Sequence, residues 1–135
     1  MIELTAPTTQ REQWLDVTDL IQEAVAKSGL REGACVVGVP HTTAGVTIQE
    51  NADPDVVSDC LMALDRMVPA SLPFRHGEGN STAHVKSVLT GTSVTLPVRE
   101  GRLVLGTWQA VYLCEYDGPR RRRLLLNLLA ASPQG

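Results

Sequence analysis

No apolar run in these 135 residues approaches the ~18–20 needed to cross a bilayer, which excludes a helical membrane span. The opening MIELTAPTTQREQW has neither a basic stretch nor an apolar one behind it. No secretory signal is therefore expected, and the chain is expected to be cytoplasmic. Positive charge is not in excess either. Twelve Lys and Arg face 15 Asp and Glu, for a net charge of −3 and a pI near 5.5, which argues against nucleic acid as a partner. Cysteine is sparse: Cys35, Cys60 and Cys114 are far apart, form no C-x-x-C pair and lie in apolar stretches, as buried free thiols of a reducing compartment would. Lysine is rarer still, two residues against ten Arg, a skew that a GC-rich genome or a warm-living source would each produce. Repeats, low-complexity tracts and linkers are absent, so residues 1–135 are expected to form a single domain. What is present is ordinary globular material: 43% hydrophobic, 20% charged, mean hydropathy −0.02. At this length roughly two thirds of the unfolded surface is buried on folding.

Pattern and punctuation predict the elements. Residues 1–5 and about 13–17 read as short strands around a polar turn. Thr18 is placed to cap a helix through about Ser28, with Leu20, Ile21, Ala24 and Val25 on one face and Gly29 as its stop. An apolar, β-branched run over 34–40 is followed by a strand-like 45–48. Asp53 and Pro54 announce a second helix, with Val57, Leu61, Leu64 and Val68 inward and Pro69 at its end. Ser81 or Thr82 caps a short third helix carrying Val85, Val88 and Leu89 and ending at Gly91. Residues 93–98, 102–116 and 121–130 read as strands joined by Arg-Glu-Gly and Asp-Gly-Pro turns, both hairpin signals. The middle strand is unusually long and apolar on both faces. One face of an antiparallel sheet normally meets water, so helices or a neighbouring subunit must cover the second. With Leu124–Leu126 of similar character, an oligomer is favoured.

Three histidines are the chemistry-bearing residues. His41 follows an apolar strand, His76 lies in the loop Phe-Arg-His-Gly-Glu-Gly-Asn, and His84 opens the third helix. Each alone reads as a surface or hydrogen-bonded histidine, but all stand at element ends, where sites are built. Three imidazoles and a water make a catalytic-zinc set, although His-x7-His matches no named metal motif. Thr42, Thr43, Glu50 and Asn51 bracket the strand after His41. A carboxylate such as Glu50 can fix an imidazole's tautomer or act as a base. Thr107, Gln109 and Glu115 share the parity of Leu105, Val111 and Leu113, and polar groups on an apolar face need partners. Arg120–Arg123 reads either as a solvated turn or as a strand entrance where Arg121 and Arg123 share one face and Arg120 and Arg122 the other, so that one pair grips an anion. No Gly-rich phosphate loop, Ser-His-Asp order or nucleophile elbow is visible.

These residues fall in ordered blocks: His41-Thr-Thr-Ala-Gly, Ile48-Gln-Glu-Asn-Ala-Asp-Pro54, Leu64-Asp-Arg-Met-Val-Pro69, Arg75-His76, Ala83-His84-Val-Lys86, Gly101-Arg-Leu, Leu105-Gly-Thr-Trp-Gln109, Tyr112-Leu-Cys-Glu115 and Asp117-Gly-Pro-Arg-Arg-Arg-Arg123. Over about residues 10–130 the chain resembles the YjbQ-like family, also called the secondary thiamine-phosphate synthase family. The loop from His76 to His84 is shorter than in members that carry several acidic residues and a Met-Pro before the Ala-His. The resemblance implies an α+β fold, a two-sheet β-sandwich of mainly antiparallel strands with about three helices, trimerising through its sheets. It also implies a site near His41, His76 and His84, supported by Glu50, Asn51, Thr107, Gln109 and the arginine turn. The activity it implies joins a thiazole phosphate to a pyrimidine diphosphate and releases pyrophosphate.

The expected function is thus a trimeric, metal-dependent enzyme acting on phosphorylated or other small anionic metabolites. Its metal is a divalent ion, zinc or magnesium, held by His41, His76 and His84. Glu50 and His41 would carry the proton chemistry, and Thr42, Thr43, Asn51, Arg75, Thr107, Gln109 and Arg122 would bind substrate. Metal-assisted hydrolysis of a phosphate ester competes with thiamine-phosphate synthesis. A trimer that binds metal or metabolite without turnover is the alternative.

Overall fold

The computed structural model describes residues 1–133. Among them the chain runs β1 (Ile2–Pro7), β2 (Gln13–Asp16), α1 (Thr18–Ser28), β3 (Gly33–Gly38), β4 (Ala44–Glu50), α2 (Pro54–Met67), α3 (Ser81–Thr90), β5 (Ser93–Arg99), β6 (Arg102–Leu103), β7 (Gln109–Glu115) and β8 (Arg121–Ala130). The strands form two antiparallel sheets, one of five in the order β1-β8-β3-β5-β6 and one of three in the order β2-β7-β4. This is the α+β two-sheet arrangement expected from the sequence.

Period-2 patterning puts Leu124 and Leu126 of β8, Cys35 and Val37 of β3, and Leu96 and Val98 of β5 on one inner face. Val46, Val111 and Leu113 of the smaller sheet meet them, and Val17, Ile21, Ala24 and Val25 around α1 fill the same core. The outer face of the small sheet forms a second cluster of Ala110, Tyr112, Cys114 and Tyr116, against which Val57, Leu61 and Leu64 of α2 and Ala83 of α3 pack. Both faces of β7 are therefore covered from within the chain, so β7 does not itself require a neighbouring subunit.

Four local expectations are corrected. The long strand over 102–116 is two strands in different sheets. Its break at Gly106 is fastened by the Gln109 amide donating to the Gly106 carbonyl (3.0 Å) and the Gly106 amide donating to Gln109 Oε1 (2.8 Å). Glu100 and Gly101 do form a two-residue hairpin turn, both with positive φ (53° and 77°) as type I′ requires. Asp117-Gly118-Pro119, by contrast, carries the chain from the small sheet to the large one. Thr18 is the first residue of α1 rather than its cap. Its amide and hydroxyl donate to Asp16 Oδ1 (3.0 and 2.6 Å), and its Oγ1 accepts the Val111 amide (2.9 Å). Asn80 likewise precedes α3 where Ser81 or Thr82 was expected to cap.

Helix α3 turns polar residues inward. Thr82, Ala83, Lys86 and Ser87 are buried, whereas Val85, Val88 and Leu89 are exposed. Lys86, 1% exposed, donates to Glu12 (2.7 Å) and Asp65 (2.9 Å), tying α3 to the β1–β2 loop and to α2. Asp53 Oδ1 accepts the Asp55 amide, and Gly29 ends α1 in the left-handed region, both as expected. Cys35 and Cys114 are buried free thiols, while Cys60 is half-buried.

Candidate functional site

The turn between β7 and β8 places its residues where the two sheets meet. Glu115, fully buried, ends β7, and Arg122, 4% exposed, is the second residue of β8 on the inward parity. Arg122 Nε donates to Glu115 Oε1 (2.9 Å), and Nη2 donates to Oε2, to Thr43 Oγ1 (2.9 Å) and to the Thr43 carbonyl (3.2 Å). Thr8 Oγ1 donates to Glu115 Oε1 (2.7 Å) and accepts the Arg120 amide, and the Asp117 amide donates to Oε2. Burial pushes the Glu115 carboxyl up, but the bonds from Arg122, Thr8 and the Asp117 amide outweigh it and hold the group below the ordinary carboxylate range. A Cβ at Gly118 would stand 2.8 Å from Glu115 Cγ and 2.9 Å from Thr8 Oγ1, so only glycine lets the turn lie this close.

Above this network opens a polar cleft of about 410 Å³ lined by Pro40, His41, Thr42, Thr43, His76, Glu78, Asn80, His84, Asp117, Arg120 and Arg122. All three histidines reach it, with Thr42, Thr43 and Arg122. His76 and His84 stand edge to face, ring centres 5.3 Å apart. His41 Nε2 accepts the backbone N–H of Arg123 (3.0 Å). Burial first, then the charges of Arg122 and Arg123, hold the His41 imidazole below its ordinary range. Asn80 Nδ2 donates to Asp117 Oδ2 (2.9 Å), as does Arg120 Nη2 (2.9 Å). Burial raises Asp117, but the Asn80 and Arg120 bonds prevail and lower it.

Two polar atoms of residues lining this cleft lack partners among the described residues, one reachable by solvent and one sealed from it. Arg122 Nη1 makes no hydrogen bond among the described residues, and Asn80 Oδ1 is sealed from solvent without a donor. A second, more apolar hollow of about 460 Å³ adjoins the cleft at His41, Thr42 and His84 and extends along Ser87, Val88 and Gly91.

The structure does not bring every expected site residue here. Arg75 is exposed and does not line the cleft. Glu50, Asn51, Thr107 and Gln109 gather at the opposite end of the small sheet, where Glu50 pairs with Gln109 and the Asn51 amide bonds the Trp108 carbonyl. Glu50 is six residue steps along β4 from Ala44, roughly 20 Å at about 3.3 Å per step. Sequence reading missed Glu78, Asn80 and Asp117; the first two stood only within the His76 loop, and Asp117 only as a turn residue. Three of the four arginines of the run are paired inside the chain, Arg122 on Glu115, Arg120 on Asp117 and Arg123 on Glu3, and Arg121 makes no ion pair among the described residues. The density of positive charge is thus no longer an argument for a bound anion.

A metal held by the three histidines does not fit this geometry. Among the described residues no three His, Cys, Asp or Glu side chains are placed to hold one ion, and His41 Nε2 is already committed to a backbone donor.

Comparisons with known proteins agree with the blocks quoted above. A family profile described as "UPF0047 protein YjbQ-like" matches residues 2–131. A UPF0047 protein of Methanocaldococcus jannaschii is 45% identical over 122 residues, covering 90% of this chain and 88% of its own. YugU of Bacillus subtilis is 44% identical over 127 residues, covering 93% and 96%. A crystal structure of a YjbQ/UPF0047 protein from Clostridium acetobutylicum superposes with a TM-score of 0.92 at 46% identity, over 96% of this chain and all of that one. The chain belongs to the YjbQ-like UPF0047 family.

Proposed function

We propose that the cleft binds a small phosphorylated metabolite and that the protein is an enzyme acting on it. One observation carries this reading: Arg122, its guanidinium fixed by Glu115 and Thr43, leaves Nη1 reachable from the cleft with no partner among the described residues. A ligand with a phosphate oxygen for Arg122 answers that open donor. Formal charges around the cleft nearly cancel, so recognition rests on directed bonds rather than on bulk potential.

The specific form of the proposal is the activity the resemblance implies, thiazole phosphate and pyrimidine diphosphate joining with loss of pyrophosphate. Both reactants carry phosphate, and Arg122 and Arg120 stand where charge on a leaving pyrophosphate would be met. The His76–His84 pair is the candidate proton donor. No step is assigned to a metal ion. Zinc and magnesium analysis of untagged protein tests the metal reading separately.

A homotrimer belongs to the same proposal. Val85, Val88 and Leu89 form an outward apolar stripe on α3 beside the cleft, and Trp108 is exposed near Glu50, Asn51, Thr107 and Gln109. Contact between copies is the route by which that second polar group would reach a histidine cleft.

Calorimetric titration with inorganic phosphate, followed by turnover with the two thiamine precursors, is the test. Arg122→Lys should weaken phosphate binding about 10-fold or more, because an ammonium cannot bond Glu115 side-on and the ligand together. No phosphate binding at millimolar concentration would refute the reading. Binding without turnover would leave a metabolite-binding protein.

A further inference from the structure

The β3–β8 ladder pairs Gly33 with Ala130 through Gly38 with Leu125 and then stops. Continued in register, the next position on this side would set Pro40 against Arg123. Proline ends such a ladder because it has no N–H, and the chain turns away there. That would leave the Arg123 N–H, at an exposed ladder end, without a strand partner. The imidazole of His41, one residue on, fills the gap by accepting that N–H at Nε2 (3.0 Å).

This bond decides which nitrogen of His41 carries the proton. A backbone amide does not give up its hydrogen, so Nε2 must present a lone pair while the bond lasts, and the proton sits on Nδ1. Nδ1 makes no hydrogen bond among the described residues and is not sealed from solvent, so it opens on the hollow that His41 lines. The groups acting on the ring are Arg120, Arg122 and Arg123 from the turn and β8, and Glu115 from β7; three of the four are cationic. His84 of α3 shares the cleft wall.

We infer that His41 is locked by the Arg123 amide as a neutral Nδ1–H donor and acts beside Arg122 Nη1 as the second fixed donor for an oxyanion, rather than as a metal ligand or a proton acceptor. The oxyanion part rests on the phosphate reading above; the lock does not. Proton traffic then falls to His76 and His84. Because the lock comes from main chain at a ladder end, it holds with or without ligand, and the donor needs no rearrangement when an anion arrives.

The test is long-range proton–nitrogen correlation on protein with 15N-labelled histidine, the His41 signals being assigned by their loss in His41→Gln. At pH 7 His41 should show a protonated Nδ1 and a lone-pair Nε2. Inorganic phosphate should move its Nδ1 resonance, and equimolar Zn²⁺ should leave both nitrogens in place. An Nε2–H tautomer, an imidazolium at pH 7, or a Zn²⁺-induced change shared with His76 and His84 would overturn the inference. A correct tautomer with no response of any histidine to phosphate would support the lock, but would overturn the oxyanion role together with the phosphate reading.

Substitution gives a second readout. His41→Asn keeps a donor near the Nδ1 position and His41→Ala keeps none. Phosphate affinity should fall about 10- to 100-fold in the Ala variant and recover for the most part in Asn. Equal loss in two folded variants would count against the donor role.

Discussion

At the scale of single residues, Arg122 and Glu115 dominate the energetics of the site. Each is buried, and each is tolerable there only because the other is present. Arg122→Ala would leave a desolvated carboxylate and should cost about 3–5 kcal/mol in urea unfolding. Replacing both, as Arg122→Met with Glu115→Leu, should recover most of that loss while abolishing phosphate binding. Acid sensitivity follows from the same groups. Glu115 is held below its unfolded value of about 4.3, so its contribution is complete above that pH and is lost as pH falls through the folded value. His41 is also held low, by burial and then Arg122 and Arg123. The unfolded chain therefore takes up that proton first, and stability falls as pH drops below about 6.5. Both slopes have one sign. The urea midpoint should decline from pH 6.5 to 4, and His41→Gln should flatten the upper part of the decline.

Elements were legible where their signals are local. Asp53-Pro54 opened α2 as expected, and Asp53→Ala should cost about 0.5–2 kcal/mol, read as a lower thermal midpoint. Gly29, the Glu100-Gly101 turn and the opposite facing of successive arginines at the start of β8 were equally readable, because one or two residues decide each. Sheet membership was not. Leu103-Val-Leu and Val111-Tyr-Leu are alike as strand formers, and only Gly106 marks where the chain leaves one sheet for the other. The inward face of α3 was hidden for a related reason: Lys86 is buried only because Glu12 and Asp65, distant in sequence, arrive to meet it. The site divides in the same way. Histidines at element ends pointed to one cleft. The separation of Glu50 from it depends on strand direction, which spacing does not encode, and Asn80 and Asp117 carry no signature beyond loop and turn.

For the whole molecule, the open question is what meets the α3 stripe. Val88 is 80% exposed in the single chain, where Val88→Glu should change stability by no more than about 0.5 kcal/mol. If the proposed trimer uses this stripe, the same substitution should instead drive light-scattering mass from three chains toward one. Obligate interfaces bury on the order of 2,000–5,000 Å², and a charge placed within one is not absorbed. An unchanged trimer would move the interface elsewhere, and a wild-type monomer would end the trimer proposal.

The Asp117-Gly118-Pro119 crossing makes the cleft a property of two sheets at once, since Thr43 directly precedes β4, Glu115 ends β7 and Arg122 is the second residue of β8. No half of the sandwich owns the binding surface. A ligand held there works as a latch between layers, and parting the layers releases it. Occupancy should therefore slow amide exchange in both sheets together, by about a hundredfold at a ligand concentration 100 times Kd, for amides that exchange only through global opening. Protection gained in one sheet alone would mean that the latch closes on a single layer.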